Sequence, residues 1–548
     1  MNYIEHELVN GLKTALDLLT DIPVEDSLIM VEIPKDSSNG DYSSNLAMRL
    51  AKILKKNPFD IATTLQSILE KECPSVLKVE VARPGFLNFF IKPEKHADVI
   101  NQIIKQQDNY GSNSIGQNDK VLVEYISANP TGILHLGHAR GAAWGDSLTR
   151  ILRKSGYDVL REYYINDAGA QIYNLCLSLY ARYMELYDRQ AEMPEDGYFG
   201  QDVVDIAKKI QEQVGDKYLH LSKEEALSEI ESIGVQLELD RIKEDLEYYR
   251  VEMDSWISEK KLVSQHRIEH VVDRMNQMGL LYESEGALWF KSTDYGDDKD
   301  RVLRKSDGLY TYLTPDIANH VHKIERGYQK LINLWGADHH GYIARMKAAL
   351  EALGYGKEVL EVDIIQMVRM VENNQEVKMS KRTGNAITIR ELIDDIGVDA
   401  ARYFFVSRAL DTHFDFDLGL ARSKSNDNPV FYAQYAYARI CSIFKKGIDY
   451  QKTETYTHLT SEKEIELLKH LSQFTDVVAD AAVSRQVNKI CNYVNKLAQL
   501  FHSFYAVSQV INLEEPELTN ERLGLSLATK ITLRNALDLI GVSAPESM

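Results

Sequence analysis

Four cysteines among 548 residues, Cys73, Cys176, Cys441 and Cys491, stand far apart and form no CxxC pair. That scarcity excludes a zinc ribbon and a disulfide scaffold, fits a reducing cytosol, and leaves the thiols as small buried hydrophobes. No apolar run comes near the ~18–20 residues a membrane span needs. The opening stretch, MNYIEHELVNGLKTALDLL, carries acidic residues where a secretory leader would be basic, and reads as an amphipathic helix. Positive charge is short as well: 63 Lys+Arg against 82 Asp+Glu leave a net −19. A polyanionic partner must therefore be met by placed residues, since the overall field repels it.

What is present is ample core. Hydrophobic residues make up 44% and charged ones 26%, the mix of a soluble globular protein. The length allows about three or four domains. Residues 1–115 form one unit, with helical periodicity over 1–20 and Asn45–Leu54. The strand-like pair Val76–Ala82 and Phe86–Ile91 flanks the turn signal Arg83-Pro84-Gly85. The polar stretch 110–119 reads as a linker. A buried parallel strand then opens at Lys120, followed by a glycine-containing loop, a helix over Ala139–Lys154 and a second strand over Asp158–Tyr164. Strand, loop, helix and strand is the opening of a nucleotide-binding α/β unit. Residues 175–280 are helical and acidic and read as an insertion. The α/β pattern resumes with the apolar strand Lys330–Trp335, ending at Gly336. From Asn428 the pattern is helical to the end, including apolar three-and-four spacing through Val483–Tyr505.

Two short constellations carry chemistry. Asn129-Pro130-Thr131-Gly132-Ile133-Leu134-His135-Leu136-Gly137-His138 lies between strand and helix. His135 and His138 are three apart, on one face of a helical turn, and two imidazoles there could hydrogen-bond a triphosphate at the helix amino terminus. Gly137 lets a base or phosphate approach the backbone. Two histidines satisfied within a loop remain the alternative; a metal pair lacks a third ligand at useful spacing. The second constellation, Lys378-Met379-Ser380-Lys381-Arg382-Thr383-Gly384, is a cationic loop suited to a leaving pyrophosphate, or else a charged surface loop.

The pair resembles the HIGH and KMSKS signatures of class I aminoacyl-tRNA synthetases, the first read here as HLGH. Longer segments resemble the arginyl-tRNA synthetases: 124–132, Gly137-His138-Ala139-Arg140-Gly141, 161–169, 296–303, 310–318 and Asp399-Ala400-Ala401-Arg402-Tyr403-Phe404-Phe405. The resemblance implies a multidomain α/β protein: a Rossmann-type class I catalytic domain with a helical insertion, an N-terminal α+β additional domain and a C-terminal all-α anticodon-binding bundle. Its implied boundaries are 1–115 for tRNA-elbow (D-loop) recognition, 116–395 for catalysis with an insertion at about 175–280, 396–427 for a stem-contact connector, and 428–548 for the anticodon. It implies ATP as substrate, with Mg²⁺ accompanying ATP and no dedicated metal site, and L-arginine and tRNA(Arg) as partners. A cytosolic monomer is expected.

By the same resemblance, His135 and His138 serve the phosphates, and Lys378 and Lys381 serve charge developing on the leaving group. Gly137, Gly336, Asp338, Met379 and Ser380 belong to ATP. Glu124, Tyr312 and Asp316 would line a guanidinium pocket, with Asn129 on the α-amino group. Two carboxylates and a phenol can satisfy a planar fork of donors that lysine cannot match. Read alone, Asp316 could instead cap a helix, whereas Glu124, a charge inside an apolar strand, needs a partner. Some relatives hold the α-amino group with a glutamine, for which Gly336-Ala337-Asp338 offers no equivalent. Tyr432, Tyr435 and Arg439 would face the anticodon, or else form core. Asn88 would face the tRNA elbow, or else be a strand-end polar residue. The rivals are another class I synthetase, a tRNA-free adenylate-forming relative, and a non-catalytic tRNA-binding paralogue.

Overall fold

The computed structural model describes residues 3–20, 25–377 and 387–548. The N-terminal unit sets three helices, Tyr3–Leu19, Leu46–Leu54 and Pro58–Glu72, against an antiparallel sheet. Its central strand is Phe86–Ile91, between Tyr42–Ser44 and Val76–Ala82. Leu8, Leu12, Leu65 and Phe89 close the core. Asn57 starts the third helix, accepting from Phe59 N–H at 2.9 Å ahead of Pro58.

The catalytic sheet has five strands: β1 (Lys120–Glu124), β2 (Asp158–Ile165), β3 (Ser255–Ser258), β4 (Lys330–Gly336) and β5 (Leu360–Ile365). All pairings are parallel, in the order β5-β4-β1-β2-β3. The order reverses between β1 and β4, so the crevice outside their carboxyl ends is where an open α/β sheet binds its ligand. Val121, Leu122 and Val123 are fully buried, as both faces of a parallel strand require. Helix α1 (Leu136–Lys154) packs almost flush on the sheet. A Cβ on Gly145 would lie 2.3 Å from the Tyr125 ring, and one on Gly141 would lie 2.8 Å from Ile365 Cδ1.

The helical insertion comprises 170–185, 201–214 and 223–248. It ends before β3, so the expected limit near 280 runs too far: β3 returns to the central sheet, and a three-stranded sheet follows over 281–304. Helix α2 (Leu313–Glu325) then leads into β4. After β5 come β6 (Val368–Glu372) and β7 (Gln375–Glu376). Helix α3 (Val398–Val406) and strand β8 (Phe414–Asp417) follow, and β8 pairs in parallel with β6.

The C-terminal bundle begins with α4 (Pro429–Phe444), capped by Asn428, and ends with 516–539. The apolar spacing through Val483–Tyr505 crosses from one helix, Phe474–Ser484, into the next, Asn488–Val507. Arg485 breaks them at φ 54°, freeing its guanidinium to reach Glu361 and, at 2.7 and 3.0 Å, Asp363 on β5. Stretch 110–119 is docked rather than a free linker: Tyr110 is buried and donates to Leu471 O at 2.6 Å. Helix Asp98–Gln106 buries Val99, Ile100 and Ile103 in the core shared with the bundle.

Arg402 on α3 joins three parts of the chain. It is fully buried and donates to Ile540 O, Tyr249 O and Arg250 O at 3.0–3.1 Å and to Asp146 on α1 at 2.5 Å.

Candidate active site

The loop after β1 turns into α1 at His135, which is the helix N-cap. His135 Nδ1 accepts from Gly137 N–H at 3.1 Å, and His138 Nδ1 accepts from His135 N–H at 3.2 Å. Each Nδ1 is thus an acceptor, so each ring carries its proton on Nε2 and offers that N–H outward. Burial lowers the His135 pKa; burial, then the neighbouring His135, brings His138 to about 4. Both imidazoles are neutral donors at pH 7, with ring centroids 4.1 Å apart. Gly137 is required by this cap, because a Cβ there would meet His135 Cε1 at 2.8 Å.

These histidines border a cleft of about 540 Å³ at the sheet's switch point. It is also lined by Gly336, Ala337 and Asp338 at the end of β4 and by Ile365, Gln366 and Met367 at the end of β5. Asp338 is exposed, with His339 Nε2 at 3.4 Å. Lys378, Met379, Ser380 and Lys381 lie outside the described residues. Their far flank is placed: Leu136 N–H donates to Ile387 O at 3.1 Å, Ile389 N–H donates to Leu134 O at 2.9 Å, and Thr388 pairs with His135.

Beyond the cleft, α2 presents Asp316, His320 and Lys323 to the sheet, the i, i+4, i+7 positions of one face. Lys323 is fully buried and bonds Glu124, whose other oxygen accepts from Ser127 Oγ at 3.2 Å. Burial would raise Glu124, but Lys323 and His320 hold it below the usual carboxylate range. His320 donates from Nδ1 to Asp316 O at 2.7 Å and accepts from Asn333 at 2.9 Å. Asp316 is not the helix cap, a position held by Tyr312. Its carboxylate accepts from Tyr342 Oη at 2.7 Å. Burial raises its pKa to about 7 despite that bond, helped by Glu124 and Glu259. Tyr164, donating to Glu259 at 2.9 Å, lies within electrostatic reach of all three carboxylates.

Glu124 and Asp316 are therefore brought together as expected from the sequence. The phenol on Asp316 is Tyr342, whereas Tyr312 is 82% exposed. Asn129 donates to Gln171 at 2.5 Å. Sequence reasoning missed Lys323, His320, Tyr342 and Glu259. The i, i+4, i+7 spacing on α2 was the available signal for the first two.

The distal residues separate. Tyr435 and Arg439 border a pocket of about 310 Å³ with Tyr505 and Met548, and Arg439 stacks 4.5 Å over Tyr435. Tyr432 turns from it and packs on His502 at 4.5 Å. Asn88 is 5% exposed in a central strand, so its amide presents almost no surface to a partner.

Comparisons with known proteins follow the same division. Residues 5–91 match the family described as arginyl tRNA synthetase N terminal domain, 99–405 the catalytic domain of tRNA synthetases class I (R), and 433–548 the DALR anticodon binding domain. The chain is 50% identical over 549 residues to arginine–tRNA ligase 1 of Halalkalibacterium halodurans, covering 100% of this chain and 98% of that one. It is 52% identical to the Bacillus licheniformis arginine–tRNA ligase, covering 95% and 94%. Its fold is that of the Thermus thermophilus arginyl-tRNA synthetase, with a TM-score of 0.76 at 23% identity over 99% of this chain and 100% of that one. With a switch-point cleft, neutral HLGH donors, a buried carboxylate cluster at the end of β1 and these matches over the whole length, the chain belongs to the arginyl-tRNA synthetases of class I.

Proposed function

We propose that this arginine–tRNA ligase forms arginyl-adenylate in the cleft between β1 and β4, then passes the arginyl group to the terminal ribose of tRNA(Arg) at the 2′-hydroxyl. The observation that carries the site assignment is the buried, electrostatically coupled cluster of Glu124, Asp316 and Glu259. Glu124 ends β1 beside Asn333 of β4, and the cleft is lined by residues just beyond them, Ile126 and Leu334. With Glu124 already paired to Lys323, a guanidinium fork can bridge the remaining acceptor positions of Asp316 and Glu259, which a lysine ammonium, a point donor, spans less well. The arginine carboxylate attacks the α-phosphorus of MgATP and pyrophosphate leaves. No protein nucleophile is needed, so catalysis is positioning plus charge stabilisation.

His135 and His138 donate Nε2–H to the phosphates, and Lys378 and Lys381 take charge on the leaving group. Gly137, Gly336, Asp338, Met379 and Ser380 serve ATP. Asn129 holds the α-amino group and Tyr312 closes the pocket. In the bundle, Tyr435, Arg439 and Tyr505 receive an anticodon base by stacking. In the N-terminal unit the tRNA elbow meets Arg83 over Phe59 and Lys78 over Phe90, pairs more open than Asn88. The domain limits of the first subsection, with the insertion ending before β3, a monomeric state and a cytosolic site of action complete the proposal.

Charging total tRNA with each amino acid in turn tests it: arginine is expected to be esterified, and a preference for lysine or glutamine would overturn the pocket. Pyrophosphate exchange is expected only with cognate tRNA present; equal rates without it would refute that dependence.

A further inference from the structure

Arg140 follows His138 on α1, is 1% exposed, and borders the same cleft. Its fork is directed at carbonyls: Nη1 donates to Gln366 O at 2.8 Å and Thr412 O at 3.0 Å, and Nη2 to Ala409 O at 2.7 Å. Nε is buried without a partner, and the guanidinium carbon stands 5.0 Å over the ring of Phe414, the first residue of β8. Among the described residues no carboxylate forms an ion pair with it. Asp411 is close enough to act on it through space without pairing. A buried cation whose hydrogen bonds all go to neutral carbonyls is costly, and an apolar side chain of similar length would fill the space at lower cost. The guanidinium therefore needs a reason beyond packing.

Placement supplies two. Gln366 links β5 to β6 and is part of the cleft wall, and its N–H donates to Leu410 O at 3.1 Å. Arg140 thus ties that wall to the 409–412 segment and both to the helix bearing the histidines. The chain from β6 runs on to residue 378, and it returns at Ile387 on the backbone of Leu136. One helix therefore holds both approaches to the Lys378–Lys381 motif. Second, the two histidines are neutral, so among the described cleft residues Arg140 supplies a fixed positive charge for the triphosphate to meet.

We propose that Arg140 is a positioning residue for ATP, keeping the wall at Gln366 in register with His135 and His138 and giving the cleft floor its fixed charge. The inference rests on the cleft being the ATP site. Arg140→Gln and Arg140→Lys are compared with the full-length wild type in arginine-dependent pyrophosphate exchange at saturating tRNA. In Arg140→Gln, kcat/KM for ATP is expected to fall about 100-fold, the size of an ångström-scale misplacement, with KM for arginine within about twofold of wild type. Arg140→Lys is expected to fall in the same direction, because a point ammonium cannot span three carbonyls. It decides the matter should the glutamine variant fail to fold, which thermal melting reports. ATP parameters unchanged in Arg140→Lys, or a loss shared equally between ATP and arginine, would overturn the role. A wild type inert towards arginine with every tRNA would instead sink the functional reading.

Discussion

At the residue scale the decisive groups are those whose protonation the fold has set. Asp316 is held protonated up to about pH 7 by burial and by the like charges of Glu124 and Glu259. A bound guanidinium favours the ionised carboxylate, so arginine binding releases a proton and tightens as pH rises through about 7. KM for arginine is expected to fall between pH 6 and 8 and level off above. In Asp316→Asn, which has no proton to release, KM is raised and this slope disappears; steady-state kinetics across that range checks both. Glu124 and Asp316 are reached through the resemblance to the arginyl-tRNA synthetases. Of the two, only Glu124, a charge inside an apolar strand, stands out from its own residues, whereas Asp316 read alone suggests a helix cap. The sequence did not disclose Tyr342, which reaches Asp316 from a separate short turn after β4. Two tyrosines near one carboxylate in space look alike in a string of letters, and only backbone direction separates Tyr312 from Tyr342.

Elements with a clean period were legible, and those defined by long-range contact were not. The strands Val76–Ala82 and Phe86–Ile91 match the sequence reading residue for residue. The sheet over 281–304 escaped because each strand is four residues long. The break at Arg485 escaped because the apolar spacing continues across it, while the reason for it lies on β5. Helix α1 illustrates a competition of magnitudes. Gly145→Ala should gain ~1 kcal/mol in helix propensity. The new Cβ would lie 2.3 Å from a ring buried beneath the helix, and overpacking of this kind typically costs about 1–3 kcal/mol. Net destabilisation is expected, read as a lower denaturant midpoint with unchanged slope.

Across the whole molecule, Arg402 is the common fastening of α1, the insertion's end and the last helix of the bundle. Arg402→Met keeps the volume but strips a buried carboxylate and three carbonyls of their donor. Arg150 remains on Asp146 at 2.8 Å, yet a loss of about 3–5 kcal/mol is expected from breaking such a buried pair. Calorimetry should show it as a lower transition involving both the catalytic domain and the bundle. A drop confined to one of them would contradict a shared fastening. The N-terminal unit has its own tie to the bundle, where Asp41 pairs with Lys469 and lies 3.6 Å from His96.

The helix Asp98–Gln106 has a consequence for how the chain is made. It emerges from the ribosome roughly 400 residues before the final helix, 516–539, against which it packs. At ~5–20 residues per second, its greasy stripe of Val99, Ile100 and Ile103 waits on the order of 20–80 seconds for its mate. During that interval it is a natural client for chaperones, and a bundle excised at residue 428 would be born with a vacant groove in its place.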